Sequence, residues 1–202
     1  MIQSLSHGGK FTFDPATHLY SFEGKVVPSV TQIVSDVAGY KGFSSERAMA
    51  KGSAVHEAIA KAEAVDLSKL PPECDGYMDA WYLFLKESKT ETNPEGFKIE
   101  FKELQLFSDQ HCFAGTTDVV GRLGKQRCVV DMKCTEKINK KYVRLQLAAY
   151  AHLCAVNGLP VERQFCLQLR QGGTYKMHEM KDGFREFLNA KDNYLAALEA
   201  VA

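Results

Sequence analysis

Two carboxylates and a lysine lie close together in one segment, Phe113 to Lys133, which reads FAGTTDVVGRLGKQRCVVDMK. Asp118 ends the first of two apolar, β-branched runs, and Asp131 precedes Lys133 by two positions at the end of the second. Hard divalent cations such as Mg²⁺ take carboxylate oxygens as ligands, and they can activate water and clamp the oxygens of a phosphodiester. Side chains two residues apart on a strand share a face, so the lysine would stabilise charge at the phosphate. These residue types predict a phosphodiesterase site built from metal ions and a lysine.

Each candidate also has an ordinary structural interpretation. An Asp-x-Lys match alone is usually a surface ion pair. His56 follows Gly52 by one helical turn, and a histidine on such a face usually packs, although neutral imidazole is also a common metal ligand. Glu100 and Glu103 have opposite parity in FKIEFKELQLF, so a regular strand can turn only one of them toward the site. These alternatives stay open on the residues alone.

Hydroxyl and basic residues flank the acidic motif. Ser29 or Thr31, in PSVT, is predicted to cap a short helix, with phosphate contact as the alternative. Gln146 and Tyr150 share one face of a helix predicted over 137–157. A basic run at its start is usually a solvated face, but here it follows the acidic motif, where a DNA backbone would lie. The residues of this run are Lys137, Lys140, Lys141 and Arg144.

Composition narrows the class of protein. The chain has 202 residues, which suggests one domain, and its formal net charge is zero, so nucleic-acid binding would need local clusters of charge. No apolar run is long enough to span a membrane, and the N-terminal MIQSLSHGGK has no signal core. The six cysteines show no C-x-x-C or zinc-finger spacing. We expect a protein of the cytoplasm with free thiols and no iron–sulfur cluster.

Secondary structure is predicted around the central hairpin. The elements before it are a hairpin over 11–22, a helix from Ser44 or Ser45 to about Ala64 and an amphipathic helix over 73–89. The stripe of Cys74, Tyr77, Met78, Trp81, Tyr82 and Leu85 on the last of these is interpreted as core packing. Three β segments cover 97–133, a further hairpin covers 163–180, and a closing helix covers 184–200.

The chain resembles the PD-(D/E)XK nuclease superfamily, and within it the RecB-like exonuclease branch with its phage-type and mitochondrial genome maintenance members. The resemblance rests on five ordered blocks: PSVT at 28–31, GSAVHE at 52–57, AGTTD at 114–118, VVDMK at 129–133 and QLAAY at 146–150. The residue before the first aspartate is Thr117 rather than proline, as is usual in that branch. Each block is weak by itself, and the order and spacing carry the resemblance.

The resemblance implies an α/β fold with a restriction-endonuclease-like core, in which helices flank a central mixed sheet. It implies one nuclease domain over 1–202, with 1–27 as an N-terminal hairpin extension and 28–200 as the core. Metal-binding roles fall on His56, Asp118, Asp131, the Met132 carbonyl and a glutamate, for which Glu103 fits better than Glu100. Lys133 matches the catalytic lysine, and Asp118, Asp131 and Glu103 share the catalytic role. Gln146 and Tyr150 match a motif that contacts DNA or orients the lysine.

The implied function is a DNA exonuclease that uses one or two Mg²⁺ or Mn²⁺ ions, with a role in phage recombination, replication or DNA degradation. If the gene is of phage origin, the protein would act in the cytoplasm of a bacterial host. The alternatives are an endonuclease of the same fold, an inactive nucleic-acid-binding protein on that scaffold, and an α/β protein whose acidic residues are incidental. The implied partner is single- or double-stranded DNA; a recombination partner protein and a homo-oligomer stay open.

Overall fold

The structure, a computed structural model, describes residues 9–37, 46–61 and 72–200. The strands of these ranges are β1 Phe11–Asp14, β2 Leu19–Phe22, β3 Lys25–Val27, β4 Phe97–Ser108, β5 Phe113–Leu123, β6 Gln126–Lys133, β7 Arg163–Leu169 and β8 Tyr175–Glu179. The α-helices are α1 Val30–Val37, α2 Glu46–Ala60, α3 Asp75–Glu87, α4 Lys140–Val156 and α5 Phe184–Glu199. A search of the described helices finds none with the length and apolarity needed to cross a membrane.

A five-stranded mixed sheet forms the centre of the fold, with strand order β4-β5-β6-β7-β8. Neighbouring strands are antiparallel except β6 and β7, which are parallel. A parallel pair needs a crossover connection, and α4 provides it between these two strands. One face of the sheet packs against α1, α4 and α5, and the other packs against α2 and α3. The predicted mixed α/β fold with helices on both faces is therefore confirmed.

A second, three-stranded sheet is formed by β1, β2 and β3. It contains the predicted hairpin over 11–22, extended by the third strand. Phe11, Tyr20 and Val27 pack against Phe107 and Ala114 of the central sheet. The small sheet thus lies against the ends of β4 and β5 that meet at the 109–112 turn, and it positions the chain that enters α1.

Helix α1 begins with reciprocal capping. The Ser29 hydroxyl accepts a hydrogen bond from the Gln32 N–H at 3.1 Å, and the Gln32 side chain accepts one from the Ser29 N–H at 2.9 Å. This capping box confirms Ser29 as the N-cap, whereas Thr31 is exposed in the first turn. The segment before α1 also pairs with β5, through a bridge between Ser29 and Ala114.

Some predicted bounds were wrong. Helix α4 begins at Lys140 rather than Lys137, because the Asn139 side chain accepts a hydrogen bond from the Tyr142 N–H and caps the helix there. Among the described residues helix α2 runs to Ala60; its predicted end near Ala64 and the predicted caps Ser44 and Ser45 lie outside the described residues. On α3, Tyr82 was predicted to pack in the core but is 39% exposed.

Candidate active site

The candidate site lies where β5 and β6 separate. Their pairing runs from Leu123↔Gln126 to Val119↔Val130 and stops there. At the next position Asp118 Oδ2 accepts a hydrogen bond from the Met132 N–H at 2.7 Å, so a side-chain carboxylate takes the place of a strand carbonyl. Beyond this point β5 continues beside β4, while β6 continues beside β7. The fork therefore brings a side chain of β5 into contact with the backbone of β6.

Asp118 was predicted to lie at the end of a strand, and this prediction was wrong. Asp118 is in the middle of β5, an 11-residue strand. The strand extends on both sides of Asp118 because β4, with 12 residues, pairs along nearly all of it. What ends at Asp118 is the ladder to β6, which has the same effect on the carboxylate as a strand end.

Three side chains from distant parts of the sequence meet at this fork. His56, Glu103 and Asp118 each offer a ligand atom, and these atoms all lie within 4.8 Å of one another. His56 Nδ1 is 3.5 Å from Asp118 Oδ1. Helix α2 supplies the histidine, and the pairs Lys102↔Val119 and Leu104↔Thr117 place Glu103 opposite Asp118. An imidazole and two carboxylates, all half-buried, are a fitting donor set for a divalent cation.

The open choice between Glu100 and Glu103 is decided by an irregular β4. The pairing shifts between Ile99 and Phe101, which leaves Glu100 as the extra residue of a β-bulge. Glu100 is then bound by Arg122 at 2.7 Å and Arg127 at 2.6 Å, away from the group of three. Glu103 has a φ of +49°, in the left-handed region that costs a non-glycine residue about 1–2 kcal/mol. Such a conformation clusters at functional sites, and here it belongs to the glutamate that faces Asp118.

A chain of polar contacts continues from the fork onto α4. Asp131 is 1% exposed, and Lys133 Nζ lies 2.9 Å from its Oδ1 and 2.8 Å from its Oδ2. Lys133 also donates a hydrogen bond to Gln146 Oε1 at 3.1 Å, and Gln146 Nε2 donates one to the Tyr150 hydroxyl at 3.2 Å. Asp131 and Lys133 thus share one face of β6, and Gln146 fixes the position of the lysine.

Gly115 makes room for the end of this chain. A Cβ atom at Gly115 would lie 2.8 Å from Tyr150 Cε1, closer than real Cβ atoms come, and a tight 3.1 Å from Val30 Cγ2. The packing role of this glycine was not predicted, although the residue lies in the AGTTD block. Its missing side chain lets the ring of Tyr150 lie against β5 within reach of Gln146.

The ionisable groups of the site perturb one another. Burial disfavours the imidazolium of His56, but the charge of Asp118 outweighs this effect and raises its pKa to about 9. Burial favours the neutral form of Asp118, yet His56, Lys133 and the Met132 N–H keep its pKa below the ordinary value. Burial and the charge of Asp118 raise the pKa of Glu103 to about 7.

In the ion pair of Asp131 and Lys133 on β6, burial and the neighbouring charges also shift the pKa values in opposite directions. Burial raises the pKa of Asp131 to about 6 even though Lys133 opposes the shift. Burial disfavours the charged form of Lys133, but Asp131 and Asp118 raise its pKa above the usual value. Lys133 therefore stays protonated at neutral pH and acts as a fixed positive charge beside the carboxylates.

The other predicted site residues lie next to the group of three, in an ion pair elsewhere, or exposed to solvent. Asp131 is next to the group of three but is engaged by Lys133, and Met132 contributes its N–H to Asp118; their predicted roles as ligands stay predictions. Arg144 donates hydrogen bonds to Glu186 at 3.1 Å and to the Asp182 carbonyl at 3.0 Å, and its predicted contact with DNA stays a prediction. The exposed predicted DNA contacts are Thr31, Lys137, Lys140 and Lys141.

A buried glutamine next to the site was missed. Gln168, on β7, pairs in register with Lys133 and is 3% exposed. Its Nε2 donates hydrogen bonds to the carbonyls of Thr135 at 2.7 Å and Glu136 at 2.8 Å, which hold the segment that follows Lys133. No local signal marks such a residue, because the two carbonyls that it binds lie more than thirty positions away in the sequence.

No protein-family profile and no curated protein matches the sequence. Solved structures do match. A candidate exonuclease from Eubacterium rectale has a TM-score of 0.50 and 10% identity, over 87% of this chain and 79% of that one. The alkaline exonuclease LHK-Exo of Laribacter hongkongensis has a TM-score of 0.47 and 12% identity, over 85% and 87%.

LHK-Exo in complex with dAMP has the same TM-score of 0.47, at 13% identity over 86% and 88% of the two chains. Identities this low concern the fold alone, and the fold is that of the Eubacterium rectale structure. The mixed α/β fold that the resemblance implied is therefore shared with a solved structure.

Proposed function

We propose that this protein is a divalent-metal-dependent deoxyribonuclease that hydrolyses phosphodiester bonds from DNA ends. The observation that carries the proposal is the meeting of His56, Glu103 and Asp118 beside the buried pair of Asp131 and Lys133. An incidental acidic cluster would have no reason to include an imidazole, a glutamate in a strained conformation and a lysine held by a glutamine. The exonuclease name of the Eubacterium rectale protein of similar fold favours digestion from ends over internal cleavage.

The residues of the site have separate tasks in this proposal. His56, Glu103 and Asp118 would hold Mg²⁺ or Mn²⁺, with Asp131 and the Met132 carbonyl as further ligands. When bound, such an ion would lower the pKa of a water molecule and offset charge on the phosphate. Lys133 stays protonated, so it offsets the charge that develops on the phosphate oxygens rather than removing a proton. Gln146 holds the ammonium of Lys133 in place, and Tyr150 holds Gln146.

The substrate would be held mainly by its backbone. Lys137, Lys140 and Lys141 are exposed just after the acidic motif, and Thr31 is exposed at the start of α1. Contacts of this kind carry little sequence information, so binding should be sensitive to salt and largely independent of sequence. We also propose that the chain is one nuclease domain, in which 1–27 is an N-terminal extension whose described strands, from Phe11 to Val27, pack on the core.

The test is digestion of end-labelled linear DNA and of covalently closed circular DNA, with Mg²⁺ or Mn²⁺ and with EDTA. An exonuclease degrades the linear substrate alone, and only with metal. Asp131→Asn and Lys133→Met should abolish cleavage, while Lys125→Met, in the turn at the other end of β6, should cleave like the wild type. Cleavage of both substrates would indicate the endonuclease instead. DNA binding without cleavage would indicate a scaffold that has lost catalysis, and normal cleavage by either site variant would contradict the assigned roles.

A further inference from the structure

Two rows of side chains run across the sheet from the candidate site to the edge strand β8, on the face that carries Asp131 and Lys133. Lys133 on β6 pairs in register with Gln168 on β7, and Gln168 pairs with Lys176 on β8. Residues paired across neighbouring strands present their side chains on the same face. Asp131, Cys166 and His178 form the adjacent row in the same way. Strand β8 is the last in the sheet, so these two rows lead from the candidate site to an exposed edge.

Exposed cations surround the outer end of these rows. Lys176 lies on β8, Arg170 follows β7, and Lys140 begins α4. Burial and then the positive charges of these three residues lower the pKa of His178, which lies two positions from Lys176 on β8. Within the described ranges none of the three has an ion-pair partner, whereas Arg144, Arg122 and Arg163 are bound by Glu186, Glu100 and Glu179. The paired arginines are therefore engaged within the fold, whereas the three cations remain available to bind an anionic ligand.

Gln168 joins this cationic edge to the segment that follows Lys133. Its Nε2 donates to the Thr135 and Glu136 carbonyls, and its Oε1 lies 3.3 Å from His178 Nε2. Since every polar atom of this buried amide has a partner, the segment, β7 and β8 are held together. Glu136 is the one carboxylate in the segment 134–141, against three lysines.

We propose that the β7–β8 hairpin is part of the DNA-binding surface, and that Arg170 and Lys176 bind backbone phosphates of the strand whose end lies at the site. The proposal rests on the proposed function and extends it, because it assigns the path of the substrate beyond Lys137, Lys140 and Lys141. Lysine on an edge strand also discourages pairing with another sheet. If that were its only role, DNA affinity would not depend on it.

The test measures DNA binding in EDTA, where the proposed nuclease does not cleave. Fluorescence anisotropy with a labelled linear DNA gives Kd for the wild type, for Arg170→Gln/Lys176→Gln and for the matched control Lys98→Gln/Lys125→Gln. The control residues are also exposed but lie near the β5–β6 turn, and Lys125 is about 20 Å along β6 from Asp131. All four substitutions are on exposed residues, so thermal unfolding should change little.

Each phosphate contact contributes roughly 0.7 to 0.9 to the slope of log K against log salt. Loss of two contacts should lower the slope by about 1.4 to 1.8, so that between about 50 and 200 mM salt the wild type loses about tenfold more affinity than the variant. The control should keep the wild-type slope. If the wild type cleaves DNA with Mg²⁺ but Arg170→Gln/Lys176→Gln has the same salt slope as the wild type, this proposal is overturned and the proposed function stays intact. A wild type that neither binds nor cleaves DNA would overturn both.

Discussion

Asp118 meets several of the site's other groups at once. Its carboxylate accepts the Met132 N–H, lies beside His56 and belongs to the group that could hold a metal. This arrangement makes the protons of the site compete with a cation. A metal ion must displace the proton of His56, whose pKa is about 9, and below neutral pH it must also displace that of Glu103, whose pKa is about 7.

Metal affinity should therefore rise with pH. We expect roughly a tenfold gain per pH unit between about pH 7 and 9, where His56 is the only one of the three ligands to carry a proton, and a steeper gain below about pH 7, where Glu103 also binds a proton. Calorimetric titration with Mg²⁺ or Mn²⁺ over this range measures the dependence, and proton release should be seen in buffers of different ionisation enthalpy. An affinity independent of pH would show that neither residue is a ligand.

Lys133 should be important for stability as well as for catalysis. Its replacement leaves Asp131, which is 1% exposed, without its counter-charge, and breaking a buried pair in this way costs about 3–5 kcal/mol. The pKa of Asp131 is already raised to about 6 by burial and should rise further without the lysine. Protonation removes the buried charge, so the destabilisation caused by Lys133→Met should be largest above that pKa and shrink as the pH falls below it.

Urea unfolding of the metal-free protein near pH 5 and pH 8 checks this prediction. Asp131→Asn/Lys133→Met, which removes both charges, is the control, and it should recover most of the lost stability at the higher pH. A loss that is equal at both pH values would mean that the carboxylate does not depend on the lysine.

At the scale of elements, two glycines in the recognised blocks have opposite surroundings. A Cβ at Gly115 would be 2.8 Å from the Tyr150 ring, whereas one at Gly52, inside α2, would meet no described atom within 4 Å. Gly115→Ala should cost about 1–3 kcal/mol through overpacking and should lower cleavage, because it moves the ring that holds Gln146. Gly52→Ala should instead stabilise the protein by about 1 kcal/mol, since alanine favours the helix. Chemical unfolding and initial cleavage rates measure both effects, and equal stability of the two variants would contradict the packing described here.

Elements whose signals are local could be predicted from the sequence. The cap at Ser29 precedes an apolar helix, the hairpin turn follows Leu123, and Asp131 and Lys133 are two positions apart, so their shared face follows from strand geometry. The bulge at Glu100 and the left-handed Glu103 could not be predicted, because they arise where β4 pairs with β5 over many residues. The fork at Asp118 could not be predicted either, because it arises where β6 stops pairing with β5 and continues beside β7 alone.

At the scale of the whole molecule, the contact between the distant site residues was predicted from the resemblance to a known family, and physical reasoning about each segment would not have predicted it. His56 and Asp118 are 62 positions apart, and nothing local to either one requires contact. The order of the five blocks supplied that information, and the fold places α2 beside the fork as the resemblance implied. Gln168 and the cationic edge around His178 lie outside the blocks, so only the three-dimensional arrangement reveals them.

The central claim is that His56, Glu103 and Asp118 share a divalent cation. The most direct measurement is a crystal structure of the protein with Mn²⁺, recorded so that the anomalous signal of manganese locates the ion. We expect a peak within bonding distance of His56 nitrogen and of Glu103 and Asp118 oxygens, about 2.0–2.3 Å away, and loss of that peak in Asp118→Asn. A saturated crystal with no manganese at the three side chains, or with manganese bound only elsewhere, would contradict the account.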